Sequence, residues 1–144
     1  PSYHNHLGLV YRGQGNLHQA KSAYQHALAL APNRTDALNN LGVLLLEQKA
    51  YNEAEKVFLQ SLQLDPRHFL TLLNLGNTLV EQGEYLNAIQ YYQQAISLDA
   101  QSPILLRNLA CAYRKAGMIQ KAGETLDRIP FEEIDSPEIW MERA

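Results

Sequence analysis

The sequence predicts an all-α fold, a solenoid of antiparallel helix pairs, and three observations predict it. A short phrase returns at a fixed interval of 34 residues: His4-Asn5-His6-Leu7-Gly8, Leu38-Asn39-Asn40-Leu41-Gly42, Leu72-Leu73-Asn74-Leu75-Gly76 and Leu106-Arg107-Asn108-Leu109-Ala110. Within each interval, apolar residues recur at steps of three and four, which places them on one face of a helix. Between the two apolar stripes of an interval stands Gly15, Lys49, Gly83 or Gly117. A period of this length marks an array in which each unit buries its faces only against its neighbours.

Taken in order, Leu7, Gly8 and Tyr11 share a face with His4, which substitutes in the core for a large residue. Leu17, Ala20, Tyr24, Ala27 and Leu28 form a second stripe. Gly15 between them can take the left-handed conformation that ends a helix, so the unit is a helix, a tight turn and a helix. Pro32 stops the second helix. The second unit repeats this with Leu38, Leu41, Gly42, Leu45, Tyr51, Ala54, Phe58, Ser61 and Pro66. Lys49 takes the turn position, so this turn is either strained or differently shaped. The third unit has Leu72, Leu75, Gly76, Leu79, Gly83, Tyr85, Ala88, Tyr92 and Ala95, and Ser102-Pro103 then supplies an N-cap followed by proline at the first helical position. The fourth begins with Leu106, Leu109, Ala110, Tyr113, Gly117, Ile119 and Ala122, but Gly123 and an early Pro130 shorten its second helix. The expected array is a single domain, 1–144, with repeats at 1–34, 35–68, 69–102 and 103–136. Residues 137–144 form a further helix, a cap or the start of a fifth repeat, with Trp140 at the position of Leu38.

An apolar content of 46% suffices for a packed core, which argues against disorder. A net charge of −3 gives no pull towards nucleic acid or an anionic membrane. The charge is graded along the array: residues 1–34 carry Arg12, Lys21 and Arg34 without an acid, and residues 69–102 carry Glu81, Glu84 and Asp99 without a base. A single cysteine, Cys111, excludes an internal disulfide and fits a reducing, cytoplasmic location. No apolar run approaches the roughly 20 residues that span a bilayer, so membrane insertion is not expected. The first residue is Pro1, which suggests an excised segment of a longer protein.

The pattern resembles the tetratricopeptide repeat. The family signature, a large residue, Leu-Gly, Tyr, then Ala, an aromatic, Ala and Pro, is matched by Leu7, Gly8, Tyr11, Ala20, Tyr24, Ala27 and Pro32. Repeats two and three match nearly as well, and repeat four matches in its first half. The resemblance implies a right-handed superhelix whose first helices line a concave, polypeptide-binding groove. On residue size alone, Gly8, Gly42, Gly76 and Ala110 are expected to oppose Ala20, Ala54, Ala88 and Ala122, while Tyr24, Phe58 and Tyr92 fill the space between repeats.

The stripe opposite the core face of each first helix holds the candidate binding residues. Asn40, Asn74 and Asn108 occupy one equivalent position, and His6 extends the row. Side-chain amides both donate and accept, so they can pair with the backbone of an extended peptide; the alternative is a bond to a neighbouring helix. Replacing all three by alanine is expected to weaken capture and leave the melting temperature nearly unchanged. Asn39, Val43 and Asn77 share the stripe. Arg107, Arg114 and Lys115 cluster beside Leu73, Val80 and Ile104, an arrangement suited to an acidic side chain or a C-terminal carboxylate with an apolar anchor. The alternative is a solvated helix end. Family members that bind chaperone C-termini use a lysine, arginine and asparagine clamp. From repeat one the matching positions here are Asn5, Leu9, Asn40, Leu70 and Asn74; from repeat two they are Asn39, Val43, Asn74, Ile104 and Asn108. Only the central asparagine fits either time, which argues against that subclass.

No catalytic, cofactor or metal site is expected. His4 and His6 point about 200° apart on a helix and do not share a metal. The glycines form no phosphate loop. Cys111 has basic neighbours but no recruited base. The expected function is a non-catalytic scaffold or adaptor for protein partners. Two alternatives remain: the substrate-recruiting repeats of a larger enzyme, such as a protein O-glycosyltransferase, and a homo-oligomer stacked through the array ends, with Ile139 and Trp140 as contacts.

Overall fold

The computed structural model describes residues 2–130, which form eight helices: α1 Ser2–Gly13, α2 Leu17–Leu30, α3 Thr35–Glu47, α4 Tyr51–Leu64, α5 Phe69–Glu81, α6 Tyr85–Ile96, α7 Pro103–Lys115 and α8 Ile119–Leu126. Among the described residues there is no strand, and no helix is long and apolar enough to cross a membrane. The helix expected from Pro137, with Ile139 and Trp140, lies outside the described residues. Successive helices pair as hairpins, each hairpin packs on the next, and α1, α3, α5 and α7 touch in turn along one side.

The turn within each hairpin has one geometry. Gly15, Gly83 and Gly117 have φ of 78°, 80° and 83°, and Lys49 has φ of 61°. Each donates its N–H three residues back, and the next residue donates five back, at 2.8 to 3.0 Å in all four turns. This pair of hydrogen bonds satisfies carbonyls in the last turn of the first helix. Lys49 thus adopts the glycine turn with a side chain attached, so strain, not a different shape, is the outcome. Lys49→Gly is expected to raise stability by about 0.5–1 kcal/mol, read as a higher urea midpoint. At the start of α7, Ser102 Oγ accepts the Leu105 N–H at 3.4 Å and Pro103 takes the first turn, the cap the sequence indicates.

The core adds a specific contact to the expected pairing of small residues. A Cβ built on Gly8, Gly42 or Gly76 would lie 2.4 Å from a ring carbon of Tyr24, Phe58 or Tyr92 respectively. The aromatic rings therefore lie on the glycine of their own repeat, and it is the ring that requires the glycine. In the fourth repeat Ala110 replaces the glycine and Leu126 replaces the ring, and the two pack with Leu106 and Ile129.

Between repeats, polar groups join the apolar core. Asn39 Oδ1 accepts from Thr71 Oγ1 at 3.3 Å, and Thr71 also approaches Ser61 Oγ at 3.4 Å and His68 Nδ1 at 2.8 Å, so buried hydroxyls and amides satisfy one another. The charge gradient has a physical counterpart in pairing. Arg12 meets Glu47 at 2.5 Å, Lys21 meets Glu53 at 3.9 Å, and Arg34 pairs with Asp36, so the bases of the first repeat are matched to acids of the second. Such exposed pairs contribute about 0–1 kcal/mol each. The Arg34 guanidinium, with the Ala37 N–H, holds the Asp36 carboxyl below its ordinary value. A carboxyl lowered by folding stabilises the chain above its unfolded value and ceases to do so as the pH falls through the folded one.

Candidate functional site

The side lined by α1, α3, α5 and α7 carries two features, a row of asparagine bonds and a depression. Each asparagine of the predicted row donates Nδ2 to the preceding repeat. Asn40 donates to Asn5 Oδ1 at 3.0 Å, Asn74 to Asn39 Oδ1 at 3.4 Å, and Asn108 to Asn77 Oδ1 at 3.0 Å. The acceptor moves by one turn in the last case for a simple reason. Leu73 stands in α5 where Asn5 and Asn39 stand in α1 and α3, and leucine cannot accept, so Asn108 reaches Asn77 instead. Asn5 also donates to Asp36 Oδ2 at 3.1 Å.

These bonds change one expectation. Replacing Asn40, Asn74 and Asn108 together by alanine removes three contacts between repeats, each contributing about 0.5–1.5 kcal/mol, so the melting temperature falls along with any effect on binding.

The depression has a volume of about 600 Å³ and lies across α3, α5 and α7. Its apolar wall is Leu46, Val80 and Ile104, and Ile104 is 49% exposed. Its polar floor is Asn77 and Asn108, with the Tyr92 hydroxyl donating to Asn77 Oδ1 at 2.5 Å. Arg107 and Lys115 line it from α7, Glu47 and Glu81 from the ends of α3 and α5, and Lys49 and Tyr51 from the turn and helix between. Glu47 is engaged by Arg12, and Glu81 accepts from the Tyr51 hydroxyl at 3.4 Å. Cys111 also lines the site and is half-buried.

Of the residues predicted from sequence, the depression brings together Asn77, Arg107, Asn108 and Lys115. Asn40, Val43 and Asn74 are half-buried further along the same side, and His6 is exposed on α1. Asn39 and Leu73 are 8% and 5% exposed, so they sit beneath the surface of the groove, tying first helices together, and offer little area to a ligand. Arg114 is exposed outside the depression and lies 4.0 Å from Cys111 Sγ. Lys49, Tyr51 and Tyr92 are the lining residues that the groove stripe did not include, because they come from a turn and from second helices. The departure from glycine at position 49 was the available signal. Among the described residues no group of three His, Cys, Asp or Glu side chains is placed to hold a metal.

The two buried tyrosines differ in a testable way. Tyr92 donates to Asn77, whereas the buried Tyr24 hydroxyl has no partner, since Leu9 occupies the place equivalent to Asn77. Burial raises both phenols above their ordinary value, so each stays neutral. Tyr92→Phe is expected to cost about 1 kcal/mol and Tyr24→Phe to cost nothing or to stabilise, as compared by urea denaturation.

Three models of one family, each described as tetratricopeptide repeat, match residues 6–68, 57–90 and 79–144. The chain is a tetratricopeptide repeat protein. Solved structures of other repeat proteins share the fold. The crystal structure of MamA superposes with a TM-score of 0.84 at 24% identity, covering 94% of this chain and 81% of that one. A structure of MamA from AMB-1 gives 0.79 at 22% identity, covering 96% and 76%. PilF of Pseudomonas aeruginosa gives 0.80 at 27% identity, covering 87% of this chain and 57% of that one. No curated protein matches the sequence significantly. Tetratricopeptide arrays are interaction scaffolds as a class, and these helix pairs form the right-handed solenoid that the family resemblance implies.

Proposed function

We propose that this tetratricopeptide protein is a non-catalytic scaffold that binds an extended segment of another polypeptide in the groove formed by α3, α5 and α7. The observation that carries the reading is the composition of the depression. It combines apolar area at Ile104, Val80 and Leu46 with amides at Asn77 and Asn108 and cations at Arg107 and Lys115. Apolar surface supplies the driving force, amides suit a peptide backbone, and the cations favour an acidic side chain or a C-terminal carboxylate. Asn40 and Asn74 continue the polar row beyond the depression. Each commits one amide N–H to the array and keeps the rest of the carboxamide for a ligand.

The test is affinity capture on the immobilised chain, followed by identification of what is retained. Polypeptides held by the native chain and lost when Arg107 and Lys115 are reversed in charge support the reading. Retention of nothing above the bare matrix, or of the same set by both chains, removes the groove from consideration.

A further inference from the structure

Lys49 is the one position among the four turns where a side chain is carried on a left-handed backbone, at φ of 61°, and that side chain lines the depression. The turn itself does not call for lysine, because the glycine turns make the same two backbone bonds with the same lengths. A residue held in a disfavoured conformation that its surroundings do not require is a pointer to function.

Its surroundings say what the function would be. α5 lies between α3 and α7, so Lys49 enters the depression from the second repeat while Arg107 and Lys115 enter from the fourth. Among the described residues no carboxylate lies within ion-pair reach of Lys49, Arg107 or Lys115, whereas Arg12, Lys21 and Arg34 are all paired. Of the acids nearby, Glu47 is paired with Arg12, while Glu81 accepts from the Tyr51 hydroxyl and keeps its charge. Two separate cationic points, Lys49 on one side and Arg107 with Lys115 on the other, flank the apolar and amide surface.

We infer that Lys49 is a specificity-determining residue, which selects a ligand segment bearing two acidic groups, one held at Arg107 and Lys115 and the other at Lys49, with an apolar side chain between them on Val80 and Ile104. The inference rests on the groove being the polypeptide site, and a singly acidic segment would leave the Lys49 side unused.

The experiment uses the whole chain and a short capped peptide of alternating glutamate and leucine, with its glutamine counterpart as control, followed by amide chemical shifts. The glutamate peptide is expected to shift the amides of Lys49, Asn77, Arg107 and Asn108 and to bind more tightly than the control. Lys49→Gly and Lys49→Asn should each weaken it about threefold at low ionic strength, an effect that fades with added salt. Lys49→Arg should keep the native affinity. The glycine variant is expected to melt at a higher temperature than the native chain, and where it does, weaker binding does not come from unfolding. If the peptide shifts the groove amides but the glycine and asparagine variants bind it as well as the native chain does, the role of Lys49 is overturned and the groove reading stands. If neither peptide moves an amide of the depression, both fail.

Discussion

Gly42→Ala is expected to lower the unfolding free energy by about 1–3 kcal/mol, because the new methyl must displace the Phe58 ring. The added Cβ would lie 2.4 Å from Phe58 Cε1, and Phe58 is fully buried, so neither partner can move into solvent. The fourth repeat indicates the remedy. There Ala110 packs beside Leu126, and both are covered, at 3% and 7% exposure. Phe58→Leu alone leaves a cavity and costs about 1–2 kcal/mol. Combined with Gly42→Ala it should cost clearly less than the sum of the two, with a favourable coupling of about 1 kcal/mol or more. Urea denaturation of the four chains of the cycle measures this. Additive losses would mean that the glycine serves the backbone and not the ring.

Arg107→Glu together with Lys115→Glu is expected to have the largest effect on binding. Reversing both removes the cations that the fourth repeat brings to the depression and places two like charges before an acidic ligand. A captured partner should bind about tenfold or more weakly at low ionic strength, and the gap should narrow as salt screens the exposed charges. The thermal stability should barely change, because the described residues place neither side chain in an ion pair. A loss of affinity independent of salt would point to misfolding or to a contact other than charge.

What could be read from the sequence follows from how local each feature is. Leu38, Leu41 and Gly42 announce the core face because helical spacing and the repeat interval are properties of the chain alone. Gly15, Gly83 and Gly117 announce the turns for the same reason. The contact between Gly42 and Phe58 was missed, because residue size says that a close approach is needed but not which atom approaches. The bonds from Asn40 to Asn5 and from Asn108 to Asn77 depend on the rotation of one repeat against the next, which no single repeat encodes. Leu73 held a clue, as the one apolar residue in a position where its counterparts are asparagine or arginine. Of the basic cluster, Arg107 and Lys115 reach the depression and Arg114 does not. A stripe six residues wide was too coarse to separate them.

In the proposed mode of binding, partners lie against α5 and α7, on the side that the first helices line. Photo-crosslinking tests it most directly, with a photoreactive residue placed at Ile104, 49% exposed in the depression, or at Leu86, 62% exposed on the outer helix α6. The Ile104 chain is expected to crosslink to the captured partner and the Leu86 chain is not. Crosslinking from Leu86 with none from Ile104 would contradict it.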